Sequence, residues 1–174
     1  MSGVVIWFTG LSGAGKSTIA ELVGRELEAS GAAVEYLDGD VVRMHLSKGL
    51  GFSKEDRDTN IERIGWVASR LARHGATVLV SAISPYAEAR ATARSLVEEF
   101  APFVEVHVAT SVEECARRDV KGLYEKAFNG EIAEFTGVSD PYEEPASPEL
   151  RVDTEGRSPG ESARVVLDYL AVTA

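Results

Sequence analysis

The chain has 174 residues, 44% of them hydrophobic and 26% charged, proportions that suit one soluble globular domain of ordinary size with a buried core of its own. Lys and Arg number 18 against 28 Asp and Glu, a net charge of −10; this argues against a nucleic-acid or anionic-membrane surface but not against a small anionic ligand, which answers to local charge. Cys115 is the only cysteine, which excludes an internal disulfide and suits a reducing cytoplasm, and no apolar run approaches a membrane span.

The N-terminal MSGVVIWFTG lacks the basic region of a signal peptide, and Val4–Thr9 reads as a first strand. It leads into GLSGAGKST, which fits G-x-x-x-x-G-K-[ST] through Gly10, Gly15, Lys16 and Ser17, followed by a helix over Lys16–Ser30. The expected cradle runs Gly10, Leu11, Ser12, Gly13, Ala14, Gly15, Lys16, Ser17, Thr18. Glycines there let backbone N–H groups face an anion, and the helix N-terminus adds its positive end. Lys16 reaches the β and γ phosphates of a nucleoside triphosphate, and the Ser17 hydroxyl suits Mg²⁺. No N-K-x-D string of guanine-reading switches occurs.

A second strand, Val34–Leu37, ends in LDGD, with Asp38 and Asp40. At a strand end beside the phosphate loop, one carboxylate can orient Mg²⁺ or its water and one can take a proton from an acceptor hydroxyl; an Asp-Gly turn with solvated acids is the alternative. A helix is expected over Ser53–His74, with Ser53 and Asp56 at capping-box spacing. The strand Thr77–Ala82 runs into ISP rather than the acid of a motor ATPase, and a helix follows over Tyr86–Phe100. Then come strand Val104–Ala109, helix Val112–Arg118 with Ser111 and Glu114 at its start, a short strand at Arg151–Thr154, and helix Pro159–Leu170 with Ser158 and Glu161. This alternation predicts an α/β fold with a parallel sheet of about five strands and helices on both faces. Residues 119–148 are rich in charge, Gly and Pro, and read as a lid or binding loop.

Beyond the phosphate loop, LGFSKEDRDTN, ISPY and KGLYEKA…FTGVSDPYE resemble the adenylylsulfate kinase (APS kinase) family from about Ile6 to Leu150. The resemblance implies a three-layer P-loop kinase fold in a single domain, here 1–174, with a lid at 119–140. It implies transfer of the ATP γ-phosphoryl to the 3′-hydroxyl of adenosine 5′-phosphosulfate (APS), with Mg²⁺, usually in a homodimer, and ATP sulfurylase as a functional partner. It also implies that Asp40, Arg43, Phe52, Arg57, Asn60, Ile83, Ser84, Lys121 and Phe135 contact the sulfated nucleotide. Chemically, Arg43, Arg57 and Lys121 supply cations for phosphosulfate, while Phe52 and Phe135 offer faces for an adenine. Phe52 equally suits a hydrophobic staple and Ser84 a plain turn before Pro85. The family's ISP serine, here Ser84, is the candidate phosphoserine intermediate, although direct in-line transfer fits the chemistry better. The catalytic set expected is therefore Lys16, Asp38 and Ser84, with Ser17 and Asp38 toward the metal. Two positions depart from the family pattern: Glu134 stands where glycine commonly precedes FTG, and Val120 replaces a proline before KGLY. A related kinase with another acceptor, or a nucleotide-binding regulator without turnover, are the rival functions.

Overall fold

A computed structural model describes residues 3–173; Met1, Ser2 and Ala174, at the ends of the expected 1–174 domain, lie outside them. Five strands form one parallel sheet in the order β2-β3-β1-β4-β5: β1 Val4–Thr9, β2 Val34–Asp38, β3 Thr77–Ser81, β4 Phe103–Val108 and β5 Leu150–Val152. Strand β1 is central, with Ile6 opposite Leu79 of β3 and Val104 of β4. Its side chains alternate between two cores. Val5 and Trp7 join Val78, Val80 and Phe103 beneath helices α3 (Lys54–Arg73) and α4 (Ala87–Glu98). Ile6 and Phe8 join Leu79, Val106 and Val152 beneath α1 (Lys16–Ala29) and α7 (Pro159–Thr173). Gly65 lets α3 approach α4 closely, since a Cβ there would lie 2.9 Å from Ala93 Cβ. The edge strand β2 exposes Glu35 and Tyr36, which explains why VEYL was the least apolar of the strand sequences.

The capping serines differ in how far they close. Ser158 and Glu161 bond reciprocally, at 2.6 and 3.2 Å. Ser53 and Ser111 accept the amides of Asp56 and Glu114 at 3.1 and 3.2 Å. The Asp56 carboxylate turns instead to the amide of Gly51 at 2.8 Å, and Glu114 to Arg117 and Arg118.

Two helices were not expected. Helix α2 (Gly39–Met44) and helix α6 (Leu123–Phe128) have six residues each, too short to show an apolar period. Each begins on a distant or preceding carboxylate. Asp38 accepts the amides of Asp40 and Val41, and Asp119 accepts those of Tyr124 and Glu125. Helix α5 (Val112–Arg118) ends at Asp119, which has a left-handed backbone.

Candidate active site

The site lies above the C-terminal ends of β1, β2 and β3. Between β1 and α1 the chain turns through Gly10–Gly15. A Cβ on Gly10 would sit 2.6 Å from the Val108 carbonyl oxygen, and Gly13 and Gly15 have φ of 76° and 106°; side chains are excluded at the first and strained at the other two. Gly15 gives α1 no side-chain cap, so the first amides of that helix remain open to an anion. Lys16 is buried, and its Nζ donates to the Leu11 carbonyl at 2.7 Å. Burial lowers its pKa to about 8, because a desolvated ammonium is disfavoured.

Ser17 Oγ donates to Asp38 Oδ2 at 2.5 Å. Since Asp38 Oδ1 caps α2 at 2.9 Å from the Asp40 amide, the carboxylate is fixed between the phosphate loop and the second strand's loop. Two hard oxygen donors of this kind fit Mg²⁺, a cation that a protein typically holds through one or two such groups. Asp40 is exposed and paired with Lys121 of the 119–140 segment.

On the far side, Arg43 Nη1 donates to the Gly51 carbonyl at 2.9 Å, and its guanidinium lies 4.5 Å from the centre of the Phe52 ring. Burial, and then the neighbouring Arg57 charge, lower its pKa. Phe52 is 61% exposed, so its ring is not a core staple. Arg57 is buried on α3 and bonds Asp140 at 2.7 Å as well as the Glu134 carbonyl. Asn60 is 4% exposed, yet its Oδ1 has no hydrogen-bond partner among the described residues. A buried acceptor without a partner is costly unless a ligand or water reaches it. Phe135 stands edge-on to Tyr124, with ring centres 5.0 Å apart.

Ser84 has φ 46°, a left-handed backbone rare for a residue with a side chain. Its hydroxyl is buried, donating to the Ala82 carbonyl at 3.0 Å and accepting from Trp7 Nε1 at 3.0 Å. The hydroxyl is thus committed to the core side of the turn.

A cavity of about 510 Å³ unites these groups. Ser12, Gly13, Gly15, Lys16, Ser17, Thr18 and Asp38 line its phosphate-loop end, while Asp40, Arg43, Phe52, Arg57, Asn60, Ile83, Ser84, Lys121 and Phe135 line the rest. Gly10, Leu11 and Ala14 do not line it; Leu11 and Ala14 belong to the core beneath α1. Four cations (Lys16, Arg43, Arg57, Lys121) meet four acids (Asp38, Asp40, Asp119, Glu134) on its walls, so the cavity is balanced in a chain of net charge −10. Tyr124, whose hydroxyl donates to the Ser12 carbonyl at 2.6 Å, was not singled out in the sequence. The aromatic in KGLY signals only packing, and no local spacing ties it to a loop 112 positions away.

The family model described as adenylylsulphate kinase matches residues 2–153. The adenylyl-sulfate kinase of Deinococcus deserti is 56% identical over 173 residues, covering 99% of this chain and 94% of its own. That of Chloroflexus aurantiacus is 58% identical over 154 residues, covering 88% and 81%. Among solved structures, a Mycobacterium tuberculosis APS kinase in complex with AMPPNP and APS superposes with a TM-score of 0.94 at 48% identity, with 98% of each chain covered. No helix among the described residues is long and apolar enough to cross a membrane.

Proposed function

The chain belongs to the adenylylsulphate kinase family, and from that premise we propose that it transfers the γ-phosphoryl of ATP to the 3′-hydroxyl of APS, giving ADP and 3′-phosphoadenosine 5′-phosphosulfate (PAPS). The observation that carries this reading is the continuity of one cavity from the phosphate loop to Arg43, Arg57 and Asn60, with Asp38 at the junction. One end suits a triphosphate and the other an anionic adenine nucleotide.

Ser12, Gly13 and Gly15–Thr18 hold the triphosphate through backbone amides and Lys16, on a turn that Gly10 starts and that Leu11 and Ala14 anchor to the core. Ser17 and Asp38 would hold Mg²⁺, which when bound neutralises charge on the β and γ phosphate oxygens. Arg43, Arg57 and Lys121 draw the phosphosulfate, which requires Arg57 and Lys121 to exchange their present carboxylate partners, Asp140 and Asp40, for ligand. Phe52 and Phe135 take the adenine between them, Arg43 yielding the face of Phe52 that it now covers. The 3′-oxygen then bonds to the γ-phosphorus as the bond to the β–γ bridging oxygen breaks. The hydroxyl proton leaves toward Asp38, and ADP departs with the electron pair of the broken bond. Ser84 acts by placing the acceptor, its hydroxyl being engaged by Trp7 and Ala82.

Residues 119–140 close over both nucleotides as a lid on a single domain spanning 1–174. The same reading makes the protein a cytoplasmic homodimer whose substrate comes from an ATP sulfurylase. Acceptor profiling tests it: ADP release is measured with APS and with other hydroxyl acceptors, and the product is identified by mass. APS is expected to be the preferred acceptor. Faster release with another hydroxyl compound would overturn the acceptor, and nucleotide binding without turnover on any would favour a regulator.

A further inference from the structure

We propose that Arg90, which lies outside the cavity, is a positioning residue that clamps the acceptor turn Ile83–Pro85 to the trailing anchor of the lid at Tyr142–Glu143. Arg90 is 3% exposed on α4. Its Nη1 donates to the Ser84 carbonyl at 2.7 Å, and its Nη2 to the Glu143 carbonyl at 2.6 Å. One planar guanidinium therefore joins two segments 59 positions apart in the sequence, a geometry that a lysine's single point charge cannot reproduce. Glu105, with Oε2 4.0 Å from Arg90 Nε, balances the buried charge.

Further bonds tie the same two segments. The Glu143 amide donates to the Pro85 carbonyl at 2.8 Å, and the Glu143 carboxylate accepts the Ala87 amide at 3.3 Å. Helix α4 has no side-chain cap of its own, so the lid anchor supplies one. Thr9 Oγ1 donates to the Ile83 carbonyl at 2.7 Å, which leaves the Tyr142 hydroxyl to donate to Thr9 at 2.8 Å. The positive φ of Ser84 thus persists because its surroundings over-determine it. The lid pivots from a fixed point at Tyr142–Glu143, where Tyr142 is held by Thr9 and Glu143 is bonded directly to the turn that lines the acceptor half of the cavity. Arg90 acts on the reaction through Ser84 and Ile83, without touching either nucleotide.

The kinetic part of this inference rests on the APS reading; the mechanical part does not. The test compares Arg90→Gln with wild type by amide exchange at Glu143, by calorimetry with AMPPNP, and by steady-state kinetics against the acceptor. Exchange at Glu143 is expected to accelerate by about tenfold or more, because the buried Ser84 carbonyl and the part-buried Glu143 carbonyl both lose a charged donor. The acceptor KM should rise about tenfold or kcat fall as far, with AMPPNP affinity within about twofold. Arg94→Gln is the control. It loses the paired bonds to Glu149, both 2.8 Å, and should lower thermal stability without altering the acceptor KM. A folded Arg90→Gln with unchanged Glu143 exchange or with unchanged acceptor kinetics overturns the clamp. So does an Arg94→Gln that raises the acceptor KM equally. If Arg90→Gln does not fold, Tyr142→Phe removes only the hydroxyl bond to Thr9, and should still raise the acceptor KM about threefold; no rise overturns the proposal. Should APS prove not to be the acceptor, faster exchange at Glu143 still decides the mechanical part.

Discussion

Lys16 and Glu134 show how much a single position settles. Lys16 has a pKa of about 8 in the folded protein, below its ordinary 10.5 in the unfolded chain. The cost of burying its charge is fully present below pH 8, and as pH rises toward 10.5 the unfolded state holds the extra proton, so this residue's contribution to stability rises. Phosphate binding favours the charged form, so above pH 8 triphosphate affinity should fall and binding should take up close to one proton. Calorimetry in buffers of different ionisation enthalpy reads that uptake; none at pH 9 would remove Lys16 from the phosphates. At Glu134 the φ of 53° is a left-handed backbone, the conformation that glycine adopts freely and a residue with a side chain does not. A left-handed backbone costs a residue with a side chain roughly 1–2 kcal/mol, offset in part by the entropy glycine loses on folding. Glu134→Gly is therefore expected to raise the melting temperature by about 2 °C, and a lower melting temperature would mean that the side chain outweighs the backbone. The conformation of Glu134 was not legible in the sequence, whereas the departure from glycine was. Lys16, Ser17 and Asp38 could be placed because a contiguous motif and a strand end carry them. Arg90 and Tyr124 act through backbone carbonyls of distant segments, and such partners leave no spacing to read.

Among the elements, strands β1, β3 and β4 and the long helices are legible because each buries a face whose period shows in eleven or more residues or in a near-continuous apolar run, whereas the edge strands β2 and β5 carry only a short, mixed signal. Helices α2 and α6 escaped because six residues carry no period, and carboxylates outside the helices start both. The 119–140 segment is tied by Arg57 of α3 to Asp140 and by its own Lys121 to Asp40, so two of the prospective anion ligands also hold the segment in place. Phe52, at the loop before α3, tests the acceptor end of this arrangement. Its 61% exposure means that Phe52→Ala should cost little stability. Base–aromatic stacking is worth roughly 1–3 kcal/mol, so APS binding should weaken about 5- to 150-fold while AMPPNP binding holds. Lost AMPPNP affinity with unchanged APS affinity would move Phe52 to the donor site.

Across the whole molecule, the balanced cavity in an acidic chain and its position above β1, β2 and β3 follow from one topology. Because β1 and β2 both run parallel to β3, which lies between them, the phosphate loop and the LDGD loop leave from the same end of the sheet. That convergence turns Ser17 and Asp38, 21 positions apart, into a bonded pair. The central claim is that the γ-phosphoryl passes directly to the acceptor across this junction. The most direct measurement follows label from γ-³²P-ATP with APS, in wild type and in Ser84→Ala. Direct transfer leaves label in the 3′-phosphate of PAPS and none on wild-type protein, with reduced but substantial turnover by Ser84→Ala. Label on wild-type protein that Ser84→Ala abolishes together with turnover would contradict it.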